Sequence, residues 1–266
     1  MKKRIVAALA AMTAFAMLTV TAQADSAEKD LLAQIQERGT IVVAMEGTWS
    51  PWTYHDETDE LVGYDVEVAK AVAEKLGVEA EFVEGEWDGL LAGLDAGRYD
   101  IMVNGVTITE ERQETYSFSN PYGYNKTAVM VSSDNESIKE MADLDGKTTA
   151  NTISSTYAEV AEKYGASVTG VDDLNQTFEL LLSGRIDATL NDEVVYFDYM
   201  KAHPEAPIKI ACYDSESTSV GIPVRKDAST ESLVEAINAA LEELDKDGTL
   251  TTLSEKYFGT DISKAE

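Results

Sequence analysis

The 266-residue sequence has few of the residues that build metal centres and covalent crosslinks. It contains one cysteine, Cys212, and two histidines, His55 and His203. A single cysteine excludes an intramolecular disulfide framework and a cysteine-rich zinc site. A histidine-based metal centre or a Ser-His-Asp triad would have to use one of the two histidines, and neither lies in a recognisable motif. We therefore expect neither a metal ion nor a cofactor.

Basic residues are also scarce, since 21 Lys and Arg stand against 49 Asp and Glu and give a net charge of −28. Such a surface repels nucleic acid, whose binding needs a concentrated basic face, so we expect no nucleic-acid partner. The same repulsion disfavours anionic membrane surfaces. The content of 44% hydrophobic and 26% charged residues is typical of a packed globular protein rather than a disordered chain.

The N-terminus carries the three parts of a secretory signal peptide. Lys2, Lys3 and Arg4 precede an apolar stretch at 5–20, and Ala22-Gln23-Ala24 forms a small-x-small cleavage pattern before Asp25. The alternative is an uncleaved membrane anchor, but the apolar stretch is shorter than the roughly 20 residues of a span. We expect residues 1–24 to be removed and a mature chain of net charge −31 to reside in the periplasm or otherwise outside the cytoplasm. No cysteine lies near the cleavage site, so we do not expect a lipid anchor.

Strand and helix patterns alternate along the mature chain, which predicts an α/β fold. Between 65 and 76, apolar residues recur at spacings of three and four, typical of an amphipathic helix, and Gly77 follows. We predict strands at 41–45, 80–83, 100–106 and 147–151, further helices at 88–95, 230–244 and 249–257, and a loop at 47–54.

One segment of the sequence resembles another at a distance of 87 positions, since 94–101 (LDAGRYDI) recurs as 181–188 (LLSGRIDA). In each copy a helix ends at glycine, and aspartate then opens an apolar strand. Each strand leads to a polar tip, Asn104-Gly105 in the first copy and Asn191-Asp192 in the second. The similarity indicates two lobes of similar construction, although helix–glycine–strand also occurs by chance in α/β folds.

In open α/β sheets, ligands bind beyond the carboxyl ends of the strands, so residues there are candidates for a site. Trp49 and Trp52 lie in the predicted loop after the first strand, and Trp87 begins a helix. Aromatic side chains in such places either line a pocket or pack beneath a loop.

Charged and hydroxyl residues follow other strands. Arg112 could clamp a carboxylate with Thr107 as a further donor, or pair with a neighbouring glutamate on the surface. Asp192 could accept a hydrogen bond from an ammonium group, or it could cap the helix that follows it. Ser155 and Thr156 could bind an anion at a helix N-terminus, or they could simply cap that helix. One cation and one anion with aromatic walls are complementary to a free amino acid.

At these residues the sequence resembles the polar amino-acid-binding proteins of bacterial ABC importers, the solute-binding protein family 3, from about residue 38 to the C-terminus. It looks most like their cystine-binding branch, through Glu46-Gly47-Thr48, Asn104–Thr107 and the C-terminal run. The motifs that carry the resemblance are 63–72 (GYDVEVAKAV), 87–90 (WDGL), 107–112 (TITEER), 118–122 (FSNPY), and 247–250 (DGTL) with 256–259 (KYFG).

The resemblance implies a type II periplasmic-binding-protein-like fold of two lobes, each a mixed sheet flanked by helices, with the ligand in the cleft. The lobes would be 25–124 with 220–266, and 125–219. Arg112 and Thr107 match the family's carboxylate-binding residues, Asp192 its ammonium-binding aspartate, and Glu46 the acidic residue that assists. The other matching positions are the strand tip Asn104 and Gly105, the second-lobe turn Ser155 and Thr156, the walls Trp49 and Trp87, and the neighbouring Trp52. Ser154 stands where the family usually has glycine.

The resemblance further implies a monomer that captures a polar L-amino acid, cystine among the candidates, and delivers it to a membrane permease without catalysis. Two alternatives share the fold. One is an enzyme similar to the cyclohexadienyl or arogenate dehydratases, which would need a general acid aimed at the leaving hydroxyl, with Glu46 as the residue to suspect. The other is a ligand-sensing domain of a receptor.

Overall fold

The computed structural model describes residues 30–265, and the predicted signal peptide lies outside this range. Within that range no helix combines the length and the apolar character needed to cross a bilayer. The α-helices are α1 (Leu31–Arg38), α2 (Tyr64–Leu76), α3 (Trp87–Asp95), α4 (Glu110–Thr115), α5 (Thr156–Lys163), α6 (Leu174–Leu182), α7 (Glu193–Ala202), α8 (Glu231–Lys246) and α9 (Thr249–Phe258).

The strands of the described residues form one five-stranded sheet, two three-stranded sheets and one two-stranded sheet. They are β1 (Thr40–Met45), β2 (Thr48–Trp49), β3 (Thr53–His55), β4 (Leu61–Val62), β5 (Glu79–Glu84), β6 (Ile101–Met102), β7 (Tyr116–Phe118), β8 (Gly123–Ser132), β9 (Thr148–Asn151), β10 (Ser167–Gly170), β11 (Ala188–Asp192), β12 (Ile208–Val220) and β13 (Pro223–Arg225). A 3-10 turn covers Met141–Leu144.

The first lobe is built on a parallel sheet in the order β5-β1-β6. Strand β1 is rich in β-branched residues and lies in the middle, where Ile41 and Val43 are fully buried. Helix α2 covers the sheet with the predicted apolar stripe, in which Val68 and Val72 are fully buried. The helix ends before Gly77, whose φ of +74° is a conformation that glycine adopts without strain.

The second lobe is built on a mixed sheet in the order β10-β9-β11-β8-β12. Strands β9, β10 and β11 run parallel, whereas β8 and β12 are long antiparallel neighbours. The pairing of β8 with β12 extends from Gly123 opposite Val220 to Ser132 opposite Ile208. The two ends of this pair, Gly123 and Val220, therefore lie next to each other.

The two similar sequence segments have the same construction in the two lobes. The carboxylate of Asp100 accepts from Val42 N at 2.6 Å, while its own N–H donates to Val42 O at 3.0 Å. Asp187 does the same with Thr148, at 2.8 and 2.9 Å. The glycine three residues before each aspartate has a φ of +69° or +67°. Each aspartate thus joins the start of its own strand to the neighbouring strand, and the sequence similarity reflects equivalent structure.

Two boundaries differ from the sequence expectation. The predicted loop at 47–54 contains the short strands β2 and β3, because Trp49 pairs with Thr53 in a tight antiparallel turn. The predicted strand at 100–106 shrinks to Ile101–Met102. It ends early because the Asn104 side chain, rather than its backbone, pairs with Glu46, accepting from the Glu46 backbone N–H and donating to its carboxylate, both at 2.7 Å.

Candidate ligand-binding site

A partly open cavity lies between the two lobes. Eight of the predicted site residues line it: Glu46, Trp49, Trp87, Gly105, Thr107, Arg112, Ser155 and Thr156. Three predicted residues do not: Trp52, Asn104 and Asp192. The lining also includes six residues that the sequence did not single out, Asn151, Thr152, Tyr157, Asp173, Leu174 and Thr177, together with Asn191, which it named only as a polar strand tip.

Arg112 forms the positive end of the cavity. Its position is fixed because the Thr109 hydroxyl caps helix α4 by accepting from Arg112 N at 3.1 Å. The guanidinium lies over the Trp87 ring, 5.2 Å from its centroid, and donates to Thr107 O at 3.1 Å and to Ser154 O at 3.3 Å. Burial lowers the pKa of the guanidinium, and the charge of Glu159 opposes that shift. In the described part of the chain, Arg112 binds backbone carbonyls, not a neighbouring glutamate, so its charge is available to an anion.

The N-terminus of α5 faces the same end of the cavity. Ser155 is the cap, since its hydroxyl accepts from Ala158 N at 3.2 Å and donates to Thr152 O at 2.6 Å. The Ser155 side chain is therefore committed to the helix, as one of the two interpretations predicted. Thr156 lines the cavity at the first helical position. The first-turn amides of a helix have no intrahelical partners and favour an anion, which reinforces Arg112.

Acceptor groups form the other part of the lining. Burial raises the pKa of Glu46 to about 7; the hydrogen bond from Asn104 lowers it, and the negative charges of Asp173 and Asp88 raise it further. Asp173 is the N-cap of α6, where its carboxylate accepts from Gln176 N at 3.0 Å. Asn151, at the end of β9, is 3% exposed. The cavity therefore combines an anion-binding end with a region that attracts cations and hydrogen-bond donors.

Asp192 lies one layer behind the cavity wall. The sequence predicted that it contacts the ligand directly, but it is not among the residues that line the cavity. It occupies the N-cap position of α7, but its side chain makes no capping bond. Burial raises its pKa to about 7, while the polar groups of Tyr157, Asn125 and Trp52 beside it lower it. Tyr157 lines the cavity and stands between this carboxylate and the space where a ligand would sit.

The three tryptophans have different positions. Trp49 lines the cavity and stacks on Trp52, with ring centroids 5.5 Å apart. Trp52 is fully buried and also packs on Phe258 and Tyr64, at 4.9 and 5.8 Å, so it belongs to the core beneath the wall. Trp87 lines the cavity, and its buried indole N–H has no hydrogen-bond partner among residues 30–265.

Gly105 is the point where the backbone comes closest to the aromatic wall. Its φ is +50°, and a Cβ atom there would lie 2.7 Å from the Trp49 ring. Only glycine therefore fits this turn without moving the ring. Its neighbour Asn104 is fully buried and hydrogen-bonded to Glu46, so it positions that carboxylate from outside the cavity.

One signal in the sequence could have identified some of the missed residues. Asn151 ends a predicted strand, so the rule that selected Asn104 and marked the strand tip at Asn191 could have selected it too. For Asp173 the sequence offers only an N-cap pattern before an apolar helix, which is ordinary use of aspartate. Its position in the cavity depends on how α6 packs against β9.

Hydrogen bonds cross between the lobes and hold the cleft closed. The Trp49 indole N–H donates to Asn191 Oδ1 at 3.3 Å, and the Ser50 hydroxyl donates to Asp198 at 2.7 Å. The Ser154 hydroxyl donates to the Asp88 carboxylate. A glycine at position 154, which the resemblance leads one to expect, would lack this last contact.

We predict that Ser154→Ala speeds ligand dissociation. Removing one exposed charge-assisted hydrogen bond reduces the binding free energy by about 0.5–1 kcal/mol, which weakens affinity roughly 2- to 5-fold. The effect should fall on the dissociation rate, because the bond exists only when the cleft is closed. Stopped-flow tryptophan fluorescence measures this rate. Ser154→Thr keeps the hydroxyl and serves as the control; equal dissociation rates for the two variants would contradict the prediction.

The sequence matches the family model of bacterial extracellular solute-binding proteins, family 3, over residues 41–260. The chain belongs to this family. The L-cystine-binding protein TcyA of Bacillus subtilis is 38% identical over 271 residues, covering 99% of this chain and all of that protein. The L-cystine-binding protein TcyJ of Escherichia coli is 37% identical over 97% of each chain. The predicted family and the two-lobe fold are thereby confirmed.

Solved structures of family relatives superimpose on the chain to different degrees. An ancestral arginine-binding protein bound to arginine has a TM-score of 0.78 at 41% identity, covering 84% of this chain and 99% of that one. The L-cystine solute receptor of Neisseria gonorrhoeae, in its unliganded open conformation, has a TM-score of 0.60 at 43% identity, covering 88% and 99%.

The dehydratase alternative gains little from these comparisons. An ancestral amino-acid-binding protein described as a precursor of cyclohexadienyl dehydratase has a TM-score of 0.79 at 31% identity, covering 86% of this chain and 99% of that one. That relative is itself named as a binding protein. The similar proteins named above are likewise binding proteins or receptors rather than enzymes.

Proposed function

We propose that this protein captures a polar L-amino acid outside the cytoplasm and delivers it to the membrane permease of an ABC importer. L-cystine is the first candidate, since proteins named for cystine binding match nearly the whole chain. The observation that carries the proposal is an inter-lobe cavity in which Arg112 has no carboxylate partner among residues 30–265. A partly buried cation without an anion is unfavourable, and the carboxylate of a ligand would balance it.

The ligand would enter an open cleft and stabilise its closure. We propose lobes at 25–124 with 220–266 and at 125–219, joined where β8 and β12 run side by side. The head group would place its carboxylate on Arg112, Thr107 and the N-terminus of α5, with Tyr157 and Asp192 on the ammonium side. A ligand that contacts both lobes shifts the equilibrium towards the closed state, which a permease can distinguish from the open one. Residues 1–24 would direct the protein to the periplasm, where it acts as a monomer.

The protein would carry out no catalysis. A dehydratase needs a general acid aimed at the leaving hydroxyl, and Glu46, with a pKa raised to about 7, is the group with suitable acidity. Its carboxylate is held by Asn104 Nδ2 at 2.7 Å, and Asp173 shares the cavity, an arrangement that suits a bound cation. Turnover of a cyclohexadienyl acid by the purified protein would overturn this part of the proposal.

A thermal-shift screen of the twenty L-amino acids and L-cystine tests the function. A ligand at 100 times its Kd stabilises the native state by about 2.7 kcal/mol. In a protein of this size that raises the unfolding midpoint by roughly 5–10 °C. We expect one amino acid or a small chemical group of them to produce such a shift. If none does at millimolar concentration, the proposed function is wrong.

A further inference from the structure

We propose that Asp65 is a positioning residue for the ligand site: with the Tyr122 hydroxyl, it holds the Gly105 turn in place from behind the cavity wall. Gly105 lines the cavity, whereas Asp65 and Tyr122 lie outside the lining. The inference rests on the proposed function, because the turn that it concerns belongs to the proposed ligand site. It also gives a role to the sequence motif at 63–72, which contributes no residue to the cavity lining.

The Asp65 side chain is buried at a position where aspartate is normally exposed. In the first turn of a helix, an acidic side chain usually complements the helix dipole from the surface. Asp65 is in the first turn of α2 but is fully buried. Its backbone N–H donates to Trp52 O at 2.9 Å, and a Cβ atom at Gly63 would lie 2.2 Å from the same oxygen. This close approach holds the start of α2 against the segment at Trp52 and leaves the Asp65 carboxyl in the interior of the lobe.

The Asp65 carboxyl lies between Tyr122 and Gly105. Its Oδ1 accepts from the Tyr122 hydroxyl at 2.8 Å. Burial raises the pKa of Asp65 to about 8, and the Tyr122 hydroxyl and the Gly105 backbone oppose that shift. Burial and the charge of Asp65 also raise the pKa of Tyr122, and the Gly105 backbone opposes this shift too. A backbone N–H beside both acidic oxygens has this effect, so the Gly105 amide lies next to the Asp65–Tyr122 pair.

Gly105 needs such support because the chain is anchored on either side of it but not at the residue itself. Val103 N and Val106 O each take part in a backbone hydrogen bond of 3.0 Å to a neighbouring segment. Between these two points, no backbone–backbone hydrogen bond within residues 30–265 holds Gly105, although the residue is buried. A buried N–H group requires an acceptor, and the Asp65–Tyr122 pair is placed to supply it.

A shift of the Gly105 turn would reach the ligand site through Trp49. The Trp49 ring lies so close that a Cβ atom at position 105 would be 2.7 Å from it. The indole N–H of the same tryptophan donates to Asn191 of the second lobe at 3.3 Å. Loss of support behind Gly105 should therefore alter both the cavity wall and a contact across the cleft.

Tyr64 provides a matched comparison for Tyr122. Both tyrosines are fully buried, and each hydroxyl makes a hydrogen bond of 2.8 Å. The Tyr64 hydroxyl donates to the backbone carbonyl of Tyr122, whereas the Tyr122 hydroxyl donates to Asp65. Tyr64→Phe and Tyr122→Phe should therefore lower stability by similar amounts, and only Tyr122→Phe should disturb the Gly105 turn.

Amide hydrogen exchange at Gly105, followed by NMR in the full mature protein without ligand, tests whether the pair holds the turn. We expect Tyr122→Phe to speed exchange of the Gly105 amide about 10-fold or more, because the amide loses part of its support and opens locally. Tyr64→Phe should change the rate by no more than about 3-fold. Equal acceleration in the two variants would mean that this amide follows global stability alone, which would refute the positioning role.

Titration calorimetry measures the effect on the ligand site, with L-cystine, L-arginine and any further amino acid that the thermal-shift screen selects. For each one that binds, we expect Tyr122→Phe to weaken affinity about 5- to 10-fold and Tyr64→Phe to stay within about 2-fold. Asparagine imitates the protonated carboxyl and keeps an acceptor for Tyr122, so Asp65→Asn should stay within about 3-fold. Asp65→Ala removes the acceptor and should weaken affinity about 10-fold or more. If this last variant does not fold, the two tyrosine variants decide.

The outcomes separate this inference from the proposed function. If the two tyrosine variants weaken binding equally, or if Tyr122→Phe leaves Gly105 exchange unchanged, Asp65 serves only the fold, and the amino-acid receptor stands. If no amino acid binds the natural protein, the proposed function fails. Gly105 exchange then still decides whether the Asp65–Tyr122 pair holds the turn.

Discussion

Arg112→Ala is expected to weaken ligand binding by about 30-fold to several thousand-fold, the equivalent of about 2–5 kcal/mol. Closing the cleft removes water from the ligand carboxylate, and without the guanidinium that charge is buried unpaired. The backbone carbonyls of Thr107 and Ser154, which Arg112 now satisfies, would also lose their donors. Titration calorimetry measures the loss directly.

Two controls separate a lost contact from a lost fold. Arg112→Lys keeps the charge but cannot form a bidentate contact, so its affinity should lie between those of the natural protein and Arg112→Ala. The unfolding midpoint without ligand should change little in either variant, because the side chain faces a cavity. A ligand with an amidated carboxylate should bind poorly to the natural protein but lose little more in Arg112→Ala. If the two penalties simply add, Arg112 does not touch the carboxylate.

Trp52→Ala is expected to lower the free energy of unfolding by about 3–5 kcal/mol, the range for removing a large aromatic from a core. The sequence suggested Trp52 as a residue beside the ligand, whereas the structure buries it completely. Its ring packs between Trp49, Tyr64 and Phe258, with centroids 5.5, 5.8 and 4.9 Å away. Urea denaturation without ligand measures the change.

Phe197→Ala is a suitable control, because Phe197 is a large aromatic on α7 that is 52% exposed. Surface substitutions usually change stability by less than about 0.5 kcal/mol, so this variant should unfold almost as the natural protein does. If Trp52→Ala instead kept full stability and lost only ligand affinity, Trp52 would be part of the ligand site and its assignment to the core would be wrong.

The sequence was sufficient for most of the first lobe's elements and for the chain's repeated construction. The spacing of Val68, Val72 and their neighbours predicted α2, and Gly77 marked its end, because both features depend on local backbone geometry. The same holds for the two helices at the C-terminus, separated by Asp247-Gly248. Asp100 and Asp187 could be recognised as equivalent from the similar short segments around them. Each aspartate joins the start of its own strand to the neighbouring strand, which is the same structural role in both lobes.

Strand ends also located most of the candidate site, since the carboxyl ends of parallel strands meet at one edge of a sheet. That rule selected Arg112, Thr107 and Gly105 from the sequence, and all three line the cavity. The strand-end rule does not predict how deeply a side chain is buried. Asn104 and Asp192 follow strands in the same way, yet both are buried outside the lining.

What only the tertiary structure decided is which of these side chains reach the cavity. Tyr157 packs over Asp192, and Trp49 covers Trp52, so one layer separates each of these predicted contacts from the ligand space. Asp173 reads in sequence as an ordinary helix cap, and its place opposite Glu46 depends on the closure of two lobes that are distant along the chain. Periodicity and capping report contacts within a few residues. A cleft is formed by surfaces that lie 42 to 148 residues apart along the chain, and the local pattern does not encode their contact.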